Sequence, residues 1–143
     1  MIIRHLTEIL RQGRRYRKNT LGPLGLNCSH SGCLVEIADH PGLSQDQLAQ
    51  LLCLDKSNVA RRVAALEEEG YVERRPSGRD KRVMELMATP KAQEVLPSIR
   101  QILLAWDEYL TEGMTPEECQ TLEKLLERVK DRAAAWRKDE VDV

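Results

Sequence analysis

The stretch Cys28-Ser29-His30-Ser31-Gly32-Cys33 places two thiols and an imidazole within six residues. Thiolates and imidazoles bind soft metals, and activated thiols react with oxidants, so Cys28 and Cys33 are candidate sensor residues. Beyond His40 no fourth ligand lies near them in sequence, and neither a metal site nor a cofactor is expected. Their five-residue spacing puts the two thiols on different faces of a helix, which disfavours an intrahelical disulfide. The competing reading is that small Cys side chains pack as apolar residues near a helix start, and for Cys53 and Cys119 that reading is preferred. The 4 cysteines include no Cys-x-x-Cys pair and suggest no disulfide framework. Catalysis finds no footing either. No Ser/His/Asp arrangement, Gly-rich phosphate loop or paired carboxylates stand out, and His5, His30 and His40 have no nucleophile partner except the cysteines, so no enzyme is expected.

A second constellation is richer. In Asp55-Lys56-Ser57-Asn58-Val59-Ala60-Arg61-Arg62 the apolar Val59, with Val63 and Leu66 beyond, must face a core. That turns Lys56, Ser57, Asn58, Arg61 and Arg62 outward. Asn can bond adenine through two atoms and Arg can bond guanine through two atoms, while Ser and Lys suit phosphates. A helix N-terminus adds partly positive backbone N–H groups. Downstream, Arg74, Arg75, Arg79, Lys81 and Arg82 are opposed only by Asp80 within their stretch. A solvated face would explain either cluster alone; their order along the chain favours a double-stranded DNA partner.

The elements that must position these residues follow from periodicity. Ile2, Ile3, Leu6, Ile9 and Leu10 form a helical stripe that ends before Gly22-Pro23. A second helix is expected from about Cys28 to Asp39, stopped by Pro41-Gly42. Ser44-Gln45-Asp46-Gln47 has the spacing of a capping box, and Asp55 is the natural cap of the next helix, which closes at Gly70. Periodicity then becomes strand-like over residues 71–75 and 82–87, flanking the turn-rich Pro76-Ser77-Gly78-Arg79-Asp80. A long helix from Thr89-Pro90 to about Glu112, bent at Pro97, precedes a last one opened by Thr115-Pro116-Glu117-Glu118 and continuing through Trp136.

Composition sets the bounds. The 143 residues allow one domain with helices to pair it, and 41% hydrophobic with 31% charged residues is a globular balance. A net charge of −1 hides strong segregation. Residues 11–18 carry five bases (Arg11, Arg14, Arg15, Arg17, Lys18) and no acid, whereas from Asp107 onward there are eleven acids against six bases. No apolar run approaches the roughly 18 residues that cross a bilayer, so no membrane partner is expected. Met1-Ile2-Ile3-Arg4-His5 meets charge at once, unlike a signal peptide, and the expected compartment is the cytoplasm.

The run Leu48-Ala49, Leu54-Asp55-Lys56-Ser57-Asn58-Val59, Arg62-Val63 and Leu66-Glu67-Glu68-Glu69-Gly70-Tyr71-Val72-Glu73-Arg74 resembles the MarR family of bacterial regulators. Gly78-Arg79-Asp80-Lys81-Arg82, followed by Leu86-Met87-Ala88-Thr89, resembles that family's Asp-x-Arg wing and the lead into its fifth helix. Ala88-Thr89-Pro90-Lys91 departs from the family's more usual Leu-Thr and later Gly. The resemblance implies a mostly α fold with a small β-hairpin wing, a winged helix-turn-helix over residues 43–87. It further implies a homodimer formed through residues 1–40 and 89–140, bound to a short palindromic operator and answering to a small-molecule effector, an oxidant or a metal. The helix Asp55–Glu69 would enter the major groove. Arg82 would reach the minor groove, steadied by Asp80, with Arg79 and Lys81 on phosphates. The alternative is a winged-helix module that binds protein instead of DNA. A protein-binding wing would expose apolar or mixed-sign residues, which this one does not.

Overall fold

In a computed structural model that describes residues 1–136, helix α1 (Ile2–Leu21) ends where a 3₁₀ turn begins at Gly22–Leu24. Gly25, at φ 73°, turns the chain so that the Leu26 N–H reaches the Leu21 carbonyl. Asn27 then caps α2 (Cys28–Asp39) by accepting the Ser29 N–H at 2.8 Å. Helix α3 (Gln45–Leu52) opens on the full reciprocal capping box of Ser44 and Gln47. Helix α4 (Lys56–Glu68) opens on Asp55, whose carboxylate accepts the Asn58 N–H at 2.7 Å. It closes with Gly70 at φ 81°, the Tyr71 N–H bonding the Leu66 carbonyl and the Gly70 N–H the Glu67 carbonyl. That double bond with a left-handed glycine is the standard way to satisfy the last carbonyls of a helix. Between α3 and α4, Cys53 holds the left-handed conformation at φ 53°.

Three strands follow where the periodicity suggests two. Strand β1 is only Leu43–Ser44, too short for alternation to reveal it, and it pairs with β3 (Met84–Ala88). The sheet order is β1-β3-β2, antiparallel, with β2 (Val72–Pro76) at an edge, where a proline costs no ladder bond. The hairpin is also shifted. Arg82 and Val83 lie in the wing loop, not in β3, because the Asp80 carboxylate takes the Arg82 N–H and the Asp80 carbonyl takes the Val83 N–H. These turn bonds replace the ladder bonds a strand would need.

Residues 1–106 form one unit. Its core joins Leu21, Leu34, Ile37, Leu48, Val59, Val63, Leu66, Val72, Leu86, Leu96 and Ile99, drawn from every helix of the unit and from both wing strands. Against α1, the Tyr16 ring stacks on Trp106 at 4.8 Å and its hydroxyl donates to the Ile102 carbonyl. A Cβ at Gly13 would sit 3.2 Å from the Trp106 indole nitrogen, so any larger residue there would have to push the indole back by a few tenths of an ångström. Helix α5 (Pro90–Leu110) runs through Pro97 as one helix and belongs to this unit up to Trp106.

From Asp107 a second unit begins. A turn with Gly113 at φ 83° leads to α6 (Pro116–Ala134), capped by the reciprocal pair Thr115 and Glu118. Helix α6 stops two residues short of Trp136 and buries none of its residues. Residues 137–140 of the expected dimerisation region lie outside the described residues.

Candidate nucleic-acid interface

The face of α4 opposite Val59, Val63 and Leu66 divides into two parts. Lys56, Ser57 and Arg61 are exposed. The Ser57 hydroxyl donates to the Asp55 carboxylate at 2.7 Å, and Lys56 lies 3.3 Å from Asp46 on α3, both side chains remaining well exposed. An exposed pair of that kind exchanges readily for another partner. The Asp55 carboxyl sits below its ordinary value because it accepts the Asn58 N–H and then the Ser57 hydroxyl, so the cap is ionised at neutral pH.

Asn58 and Arg62 are different, being half-buried. Arg62 donates through Nε to the Asn58 side-chain oxygen at 2.7 Å and through Nη1 to the Ser29 carbonyl at 2.7 Å. Arg62 therefore spans from α4 to the first turn of α2 instead of standing free in solvent. Ser29 is a partner that sequence spacing does not reveal.

In the wing, buried Ser77 accepts the N–H groups of Arg79 and Asp80 at 3.2 and 3.5 Å, drawing the loop tip together. Asp80 then accepts the Arg82 N–H at 3.0 Å and its guanidinium at 3.2 Å. The same bonds, backbone first, hold the Asp80 carboxyl below its ordinary value. The Arg82 side chain remains 90% exposed. It is thus aimed without being covered. Arg79 and Lys81 are exposed beside it and make no ion pair among the described residues. Arg74 and Arg75 on β2 are instead paired with Glu67 and Glu73. Of the five bases of the hairpin, the three at its tip are paired among the described residues only with Asp80, through Arg82.

Two residues beyond the hairpin matter to how α4 is held. The Thr89 hydroxyl donates to the Gly70 carbonyl at 2.6 Å and accepts the Ala92 N–H, capping α5. Lys91 donates to the Glu69 carbonyl at 2.6 Å and lies over the Tyr71 ring at 4.5 Å. A cation on the C-terminal carbonyls of a helix opposes its dipole favourably. Sequence spacing names neither residue as a partner of α4, since Thr89 and Lys91 lie 19 and 22 residues beyond the carbonyls they bond.

The cysteine stretch is pulled apart by the fold. Cys33 is fully buried, and burial pushes its thiol up, against a smaller opposing effect of the Arg62 guanidinium. Cys28 is half-buried. His30 has its Nδ1 buried without a hydrogen bond, 3.9 Å from a Glu69 carboxylate oxygen. No group of three or more His, Cys, Asp or Glu side chains among the described residues is placed to hold a metal ion.

A model of the MarR family matches residues 24–83, which run from the turn before α2 to the end of the wing loop. YybA, a helix-turn-helix-type transcriptional regulator of Bacillus subtilis (strain 168), is 33% identical over 97 residues, 68% of this chain. The chain spans 65% of that relative's length, just under two thirds. A crystal structure of MarR superposes with a TM-score of 0.80 at 30% identity, covering 94% of this chain and 91% of that one. A MarR family regulator from Listeria monocytogenes, solved in complex with a 26mer DNA, superposes with a TM-score of 0.90 at 25% identity, over 94% of this chain and 89% of that one. The family model covers the helix-turn-helix and wing loop, the MarR structure superposes over nearly the whole chain at 30% identity, and the chain belongs to the MarR family of transcriptional regulators.

Proposed function

We propose that the chain is a homodimeric, sequence-specific DNA-binding regulator that represses by occupying a palindromic operator in the cytoplasm. The observation that carries this reading is Arg82, held at its N–H and its guanidinium by Asp80 and yet 90% exposed at the tip of the wing. An arginine fixed in direction by one carboxylate yet open to solvent is what a narrow minor groove, with its concentrated negative potential, attracts. Lys56, Ser57 and Arg61 on α4 supply major-groove and phosphate contacts, Arg79 and Lys81 supply phosphate contacts, and Arg74 and Arg75 add basic potential from β2. The Listeria monocytogenes neighbour, solved with DNA, supports the same use of this fold. Occupancy alone blocks transcription, whereas activation needs a further surface for the polymerase; this favours repression.

Release by a signal completes the reading. A small organic effector is favoured over oxidation at Cys33, because a buried thiol with a raised pKa stays neutral and shielded. Cys28, half-buried, is the thiol left to a redox signal. Dimerisation through residues 1–40 and 89–140 is supported by the apolar residues those helices expose, among them Ile2, Ile9, Leu110, Leu122 and Leu126.

The test is fluorescence anisotropy with random duplex and then with a selected operator, across a salt series. Binding should weaken steeply as salt rises. Arg82→Ala should lose about 1–3 kcal/mol of operator affinity with unfolding unchanged. Salt-independent binding, or unaltered affinity in Arg82→Ala, would overturn the assignment.

A further inference from the structure

Arg62 looks from the sequence like a base reader, yet the fold ties its Nε and Nη1 donors internally. A guanidinium has donors and no acceptor, so the Asn58 atom 2.7 Å from Arg62 Nε is the amide oxygen. The same guanidinium is anchored at 2.7 Å on the Ser29 carbonyl, 33 residues upstream on another helix. Swinging Arg62 into a groove would break both bonds. Asn58 is thereby held with its oxygen turned toward Arg62, and its NH₂ group makes no hydrogen bond among the described residues and is not among the buried unpaired atoms.

We propose that Arg62 is a positioning residue that holds the Asn58 amide oxygen turned toward itself, so that Asn58 presents its NH₂ group to a base edge as a donor and selects guanine. Adenine offers an acceptor and a donor in the major groove, and a two-atom pair with Asn needs the amide oxygen as well as the NH₂ group. Guanine offers two adjacent acceptors, N7 and O6, to which an amide with only its NH₂ free can donate. This inference rests on the proposed DNA binding and deepens it by naming what one position of α4 recognises.

The experiment is selection from a random duplex pool by the full chain, in wild-type form and as Asn58→Ala, Asn58→Asp and Arg62→Leu, each first shown to be folded by circular dichroism. The wild type should prefer guanine over adenine about tenfold at one position of each half-site. Asn58→Ala should erase the preference there, and Asn58→Asp, which accepts and cannot donate, should move it to cytosine. Arg62→Leu frees the amide oxygen, so the same position should admit adenine while the salt dependence of binding is unchanged. A salt slope reduced by about 1 in Arg62→Leu would show Arg62 on a phosphate and overturn the proposal. So would adenine in the wild type at the position that Asn58→Ala relaxes. Should Arg62→Leu not fold, the two Asn58 variants decide the donor assignment alone. A wild-type chain that enriches no duplex removes the DNA reading itself, an outcome distinct from enrichment of the wrong base.

Discussion

Helices α4 and α6 are written in the same code and meet opposite fates. Both open on a side-chain cap, Asp55 in one and Thr115 in the other. Helix α4 carries Val59, Val63 and Leu66 at a spacing of four and three residues, and all three are buried. Helix α6 carries Leu122, Leu125, Leu126 and Val129 at the same spacing, and none is buried. An amphipathic helix gains most of its stability from a surface that covers its apolar face. Within this chain α4 has that surface, while an exposed stripe of the α6 kind calls for a partner. The difference teaches that helical periodicity predicts the need for a covering surface and says nothing of which molecule provides it.

The contrast can be broken from either side, and the largest effect belongs to α4. Leu66→Ala removes a side chain that is 1% exposed in the core and should cost about 2–5 kcal/mol in denaturant unfolding. A cost near zero would mean that α4 does not depend on its own core. The paired change Leu122→Asp with Leu126→Asp should leave the circular dichroism of the first unit intact while sedimentation shifts from dimer to monomer at micromolar concentration. Retention of the dimer would place its interface elsewhere than on α6. Thr115→Ala should cost about 1 kcal/mol by unpairing the Glu118 N–H, measured as a fall in unfolding midpoint at constant slope.

The smallest expected effect sharpens the comparison through pH. The Asp55 carboxyl lies below its ordinary value of 3.8 in the folded chain, so its cap contributes fully above that value. The contribution is lost as pH falls through the folded pKa and the carboxyl takes up a proton. Asn also caps and does not titrate, so Asp55→Asn should flatten this part of the acid limb of the stability curve. The Thr115 hydroxyl of α6 has no such titration, and Thr115→Ala should lower stability equally at pH 4 and pH 7. An unchanged acid limb in Asp55→Asn would show that the cap carries no pH dependence.

What could be read from the chain itself is what closes within a few residues. The capping pairs Ser44 with Gln47 and Thr115 with Glu118 satisfy each other three residues apart, so residue type and spacing suffice to specify them. Gly70 ends α4 for the same reason of short reach, whereas the hold of Asp80 on Arg82 was implied by the family resemblance. Apolar spacing likewise determined which face of α4 turns inward. Tertiary structure alone decided the contacts whose partners are distant in sequence. Strand β1 exists because Leu43 finds Leu86, and two residues carry no periodicity of their own. Arg62 is drawn from solvent by a carbonyl on another helix, and Lys91 by the far end of α4. Cys33 is buried and its thiol pushed up by neighbours that its own spacing does not name, since burial is a property of the neighbours and not of the residue. Local hydrogen bonds need only the chain's own geometry, but desolvation and long-range pairing need the whole fold, which is why the elements could be foreseen and the allegiance of Arg62 could not.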